Sequence, residues 1–120
     1  MARILMAEDD RDTQTAAKMY LAHKGGHDLT IVGNGRAAVE AALAGGFDLI
    51  LMDIHMPEMD GYEAISTLRA QGYSGVIHAL TASVMAEERG NAIDVGANGV
   101  LSKPIKRGFD QEIAKILKGV

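Results

Sequence analysis

Four short stretches of the sequence carry side chains able to act on phosphorus: Glu8-Asp9-Asp10, Asp53, Thr81 with Ser83, and Ser102-Lys103-Pro104. Crowding Glu8, Asp9 and Asp53 together is costly without a cation, because like charges raise one another's pKa and weaken the fold. A divalent ion removes that cost. All-oxygen donors favour magnesium, with manganese as the alternative, over zinc, and magnesium commonly takes one or two carboxylates while binding water and phosphate oxygens. That leaves room for a phosphoryl group. Lys103 then neutralises one phosphoryl oxygen as a point charge and the Thr81 hydroxyl donates to another. Glu8 and Asp9 are neighbours on one loop, where a metal can be held, whereas Asp53 stands alone between metal and lysine. Asp53 is the better acceptor, and its attack on phosphorus gives an acyl phosphate.

Taken singly, each of these residues has a plainer explanation. Asp10 or Asp12 can cap the helix that runs through Ala17 and Leu21, Thr81 or Ser83 can cap a helix starting near Val84, and Lys103 can be a solvated loop lysine. Their joint placement is what argues for chemistry, and that placement depends on the elements between them.

Five apolar runs recur, at residues 3–7, 29–32, 47–52, 76–80 and 99–101, each followed by a helical pattern. Phe109, Ile113, Ile116 and Leu117 share one helix face, Val39, Ala42 and Leu43 a second, and Ile65 and Leu68 a third. The runs ILMA and LILM are continuous rather than alternating, which suits strands buried on both faces of a parallel sheet. Right-handed crossovers then make a five-stranded, doubly wound α/β domain. In such a sheet ligands bind beyond the carboxyl ends of the strands, where Glu8, Asp53, Thr81 and Lys103 all fall.

The chain has 120 residues, enough for one domain with its own core, expected to occupy residues 1–120. It has no cysteine, which excludes a disulfide framework or a thiolate metal site. A formal net charge of -4 offers no broad basic field for a phosphate backbone, so nucleic acid is not an expected direct partner. No apolar stretch reaches membrane-spanning length and MARILMAEDD meets acid too early for a signal peptide, so no membrane partner is expected and the cytoplasm is the expected location.

The motifs ILMAEDD, LILMDIHMPEMDG, ALTAS and LSKPI, in this order, resemble those of a bacterial response regulator receiver domain over nearly the whole chain. The resemblance implies a flavodoxin-like strand order of 2-1-3-4-5. It implies that Asp53 accepts a phosphoryl group from a phosphohistidine on a histidine kinase or histidine phosphotransfer protein. Asp9, the Asp53 carboxylate and the main-chain carbonyl of His55 are then direct magnesium ligands, with Glu8 helping directly or through water. Thr81 and Lys103 hold the phosphoryl oxygens, His55 and Ser83 flank them, and the Lys103–Pro104 bond is cis. The family often has Tyr or Phe three residues before the lysine; here Val100 stands there, so the aromatic part of the usual switch cannot operate as it does elsewhere. Met1 and the absence of a linker lead to the expectation of a stand-alone receiver, monomeric or dimerising on phosphorylation. A receiver belonging to a larger regulator or hybrid kinase is the alternative.

Other signals carry less. GNGRAA, residues 33–38, loosely matches a dinucleotide fingerprint, but it follows the second strand, and the first turn carries acids that repel a pyrophosphate. The four histidines lack zinc spacing, and His78 reads as a packed or edge residue. The seven methionines read as core filler. A competing function, an Asp-nucleophile phosphoester hydrolase, would normally place a second Asp two residues after the first as acid/base; that position is His55.

Overall fold

The computed structural model describes residues 1–82 and 85–119. Strands β1 (Arg3–Ala7), β2 (Asp28–Val32), β3 (Leu49–Asp53), β4 (Ile77–Thr81) and β5 (Gly99–Ser102) form one parallel sheet in the order β2-β1-β3-β4-β5. The connections are α1 (Arg11–Ala17), which runs directly into a π-helical segment (Lys18–Lys24), then α2 (Gly35–Ala44), α3 (Gly61–Ala70), α4 (Ala86–Asp94) and, after β5, α5 (Phe109–Lys118). The doubly wound sheet and its strand order agree with the sequence reading. Among the described residues no helix is long and apolar enough to cross a membrane.

Successive strand side chains point to opposite faces, so a central strand must be apolar at every position. On one face Leu5, Ala7, Ile50, Met52 and Ala79 pack against α2, α3 and Ala92 of α4. On the other, Ile4, Met6, Leu49, Leu51 and Leu80 pack against Ala17, Leu21, Phe109 and Ile113. Each fully buried Leu or Ile contributes roughly 2 kcal/mol. This two-sided burial is why ILMA and LILM are unbroken apolar runs.

Three helices begin on a side-chain cap, each satisfying an otherwise unpaired N–H. Asp10 accepts from the Thr13 N–H at 2.9 Å, Asn34 from Ala37 at 2.8 Å and Asp60 from Glu63 at 2.9 Å. Asn34 therefore accounts for the turn at residues 33–35 without any nucleotide. Gly61 opens α3 against β3: its N–H donates to the Ile54 carbonyl at 2.8 Å, and a Cβ there would overlap the Asp53 carbonyl. The Gly35 N–H reaches the Met59 carbonyl at 3.1 Å, so the loop after β3 is tied to two helices.

Two expectations need correction. Leu43, grouped with Val39 and Ala42, is 45% exposed, because it lies in the last turn of α2, past the covered part of that face. The methionines are not uniformly core: Met6 and Met52 are buried and Met56 and Met59 pack at its edge, but Met1, Met19 and Met85 are exposed. The exposed three stand at the first residue, in the π-helical segment and at the N-cap of α4, where no second layer covers them. His78, a packed or edge residue by its sequence, is half-buried on β4 opposite Gly99.

Candidate functional site

The sheet ladder continues past the strand ends and carries the site's backbone with it. Glu8 N–H donates to the Val32 carbonyl at 2.9 Å, Ile54 N–H to Leu80 at 3.1 Å and Lys103 N–H to Thr81 at 2.9 Å. Asp53 lies opposite Leu80 and Thr81 opposite Ser102, so β3, β4 and β5 end side by side. Glu8, Asp53 and Thr81 are all buried.

The Lys103 ammonium lies 2.8 Å from Glu8 Oε1 and 3.2 Å from Asp53 Oδ1. Carboxylate oxygens of Glu8, Asp9 and Asp53 fall within 4.8 Å of one another. Main-chain donors orient the acids: Asp10 N–H reaches Glu8 Oε2 at 3.1 Å and His55 N–H reaches Asp53 Oδ1 at 3.3 Å. The Lys103–Pro104 peptide is cis, as the resemblance implied.

Burial pushes the Glu8 carboxyl up to about 7, and the neighbouring Asp53 adds to the rise while Lys103 and the Asp10 N–H oppose it. Burial alone would lower the Lys103 pKa, but its hydrogen bond to Glu8 and the field of Asp53 and Glu8 outweigh that and raise it. Lys103 is therefore cationic at neutral pH. One ammonium among three carboxylates leaves the cup acidic, and its donors are all oxygen. That set fits a hard cation such as magnesium and not zinc.

Glu8, Asp9, Asp53 and Lys103 are thus brought together, and Thr81 stands at the adjoining strand end. His55 is in the same loop as Asp53, but its imidazole turns outward, 75% exposed, with Nε2 3.5 Å from Glu88 Oε1 on α4. Ser83 and Val84, expected beside the phosphoryl group and at a helix start, lie outside the described residues. Val100 is half-buried on the α2–α4 face of the core. Sequence reasoning missed Gln14, whose amide donates to the Glu8 carbonyl at 2.6 Å, and the bond from Asn34 to Glu58 at 3.1 Å. Glu58 has a φ of 68°, a left-handed conformation adjoining Pro57. A glutamine in the first turns of a helix that follows an acidic loop was the available signal for Gln14; nothing local links Asn34 to Glu58.

A cavity of about 390 Å³ lies elsewhere, lined by Met1, His27, Asp48 and Leu117 among others. Among the described residues its lining holds a single carboxylate, Asp48, with Lys118, and none of the clustered acids of the cup.

The family model for the response regulator receiver domain matches residues 4–116. The transcriptional regulatory protein PcoR of Escherichia coli is 32% identical over 116 residues, covering 97% of this chain and 50% of that protein. The chain spans about half the length of the curated transcriptional regulators it matches. The receiver domain of the sensor histidine kinase PA1611 from Pseudomonas aeruginosa, solved with a magnesium ion coordinated in its active site cleft, matches with a TM-score of 0.85 at 36% identity, over 98% of this chain and 95% of that one. The chemotaxis protein CheY4 of Vibrio cholerae matches with a TM-score of 0.85 at 30% identity, over 100% and 98% of the two chains.

Proposed function

The chain belongs to the response regulator receiver domain family of two-component signalling, and from that premise we propose that Asp53 accepts a phosphoryl group from a phosphohistidine on a partner histidine kinase or histidine phosphotransfer protein. The observation that carries this reading is the Lys103 ammonium 3.2 Å from the Asp53 carboxylate, in a cup that Glu8 and Asp9 make acidic. An Asp53 oxygen forms its bond to phosphorus as the phosphorus–nitrogen bond of the donor breaks. The electron pair leaves on the imidazole, which takes up a proton. Lys103 neutralises one phosphoryl oxygen, exchanging its contact with Glu8 for the new charge, and the Thr81 hydroxyl donates to another. Glu8, Asp9, Asp53 and the His55 main-chain carbonyl would hold magnesium, with manganese as the alternative; when bound, the ion offsets charge on the phosphoryl oxygens.

The modified chain binds its partners differently, as a monomer or as a phosphorylation-dependent dimer. It is a phosphoacceptor rather than a turnover enzyme, although water attack on the acyl phosphate resets it. We read residues 1–120 as one receiver acting in the cytoplasm, without direct contact to nucleic acid or membrane.

Incubation with magnesium and acetyl phosphate tests this directly. A stoichiometric modification, stable in acid and labile in base, is expected by mass spectrometry and is lost in Asp53→Asn. Rapid multiple turnover on phosphoesters would instead make the chain a hydrolase.

A further inference from the structure

The three acids of the cup are not held equally. Glu8 is buried, with its carboxylate on Lys103 and on the Asp10 N–H. Asp53 ends a buried strand and meets Lys103 and the His55 N–H. Asp9 is exposed, and among the described residues no hydrogen bond or ion pair orients its carboxylate. Its backbone therefore sets the Cα–Cβ direction from which that carboxylate extends.

That backbone begins with the peptide joining Glu8 to Asp9, and Gln14 holds it. Gln14 is half-buried on α1, and its Nε2 donates to the Glu8 carbonyl at 2.6 Å. A peptide unit is planar, so the Glu8 carbonyl oxygen, the Asp9 nitrogen and both flanking Cα atoms move as one plate. The plate is anchored at its Glu8 Cα end through the preceding peptide, whose Glu8 N–H donates to the Val32 carbonyl in the sheet at 2.9 Å. Its rotation is set by Gln14, whose own N–H is fixed to the Asp10 carbonyl at 3.0 Å within the helix. Asp10 in turn caps that helix through the Thr13 N–H and hydroxyl. The amide supplies a donor without adding positive charge that would compete with a cation.

We propose that Gln14 is a positioning residue for the divalent cation: by fixing the Glu8–Asp9 peptide plane it aims the Asp9 carboxylate into the cup. This rests on the metal-assisted reading above. Groups that orient metal ligands commonly account for about 10-fold or more in affinity, so about 10-fold weaker binding is expected on losing the Gln14 donor.

The test is manganese binding to the unphosphorylated protein, followed by electron paramagnetic resonance of the free ion, alongside thermal unfolding. Gln14→Met keeps the side-chain length and removes the donor. It should bind manganese about 10-fold more weakly while unfolding within a few degrees of wild type. Thr15→Ala, on the exposed side of the same helix, should bind as wild type. Gln14→Asn, whose amide is too short to reach the carbonyl, should reproduce the loss if Gln14→Met folds poorly. Equal affinity of a folded Gln14 variant and wild type overturns the positioning role alone. Failure of wild type itself to bind manganese overturns the metal reading and this inference with it.

Discussion

At the level of single residues, the ammonium of Lys103 is what makes two buried carboxylates tolerable. Its distances to Glu8 and Asp53, 2.8 and 3.2 Å, mean that it contacts both and offsets one unit of their charge before any phosphoryl group arrives. Removing one partner from a buried ion pair typically costs about 3 kcal/mol, since the remaining charge is left uncompensated. Lys103→Met is therefore expected to lower the urea unfolding free energy by about that amount, with added magnesium restoring part of it. The residues of this cluster were legible because each stands at the end of an apolar run, where a parallel sheet collects its ligands. Gln14 and Glu88 were not, because their contacts depend on how a helix lies over a loop, and neither spacing nor residue type encodes that.

Among the elements, the tightest constraint is the return of the chain from β3 into α3. Gly61→Ala places a methyl group on the Asp53 carbonyl, so either the helix or the strand end must shift. Overpacking of this kind costs about 2 kcal/mol. The shift also displaces Asp53, so on the proposed reading a slower reaction with acetyl phosphate is expected beside a lower melting temperature. A second fastening lies at the far end of α3, where the Arg69 guanidinium donates to the carbonyls of Tyr73, Gly75 and Gly96 at 2.7 to 2.9 Å and to Asn98 Oδ1 at 3.0 Å. Arg69→Met leaves these acceptors to water and should cost about 2 kcal/mol in urea denaturation. Strand positions were readable from the continuous apolar runs. The boundaries were less so: β3 and β4 each extend one residue further, to Asp53 and Thr81, because the ladder holds polar residues that hydropathy excludes. The π winding of Lys18–Lys24 is not legible in the sequence beyond helix, since its apolar spacing does not distinguish one winding from the other.

Across the whole molecule, two histidines tie stability to pH. Burial lowers the pKa of both His27 and His78 from an ordinary value of 6.5, and the Met1 ammonium adds to the effect on His27. His27 further uses Nδ1 to accept the Ala2 N–H at 3.0 Å, which requires that nitrogen unprotonated. The unfolded chain protonates near 6.5 while the folded chain resists. Their contribution is thus complete above that pH and is lost as pH falls from it through the folded values. Between pH 7.5 and pH 5 the urea unfolding free energy of wild type should fall relative to that of a His27→Gln, His78→Gln double variant; protonation of Glu8, which favours the fold over the same range, acts on both, so the difference isolates the histidines.

The depth of Asp53 has a consequence for traffic at the cup. With 3% of its surface exposed, Asp53 on the proposed phosphoacceptor reading would be reached only by a group that is slim at its leading end. A donor must therefore either be small, as acetyl phosphate is, or carry its phosphorus on a side chain that projects from its own surface. On that reading bulky phosphate esters should modify Asp53 far more slowly than acetyl phosphate does, which parallel incubations followed by mass spectrometry check.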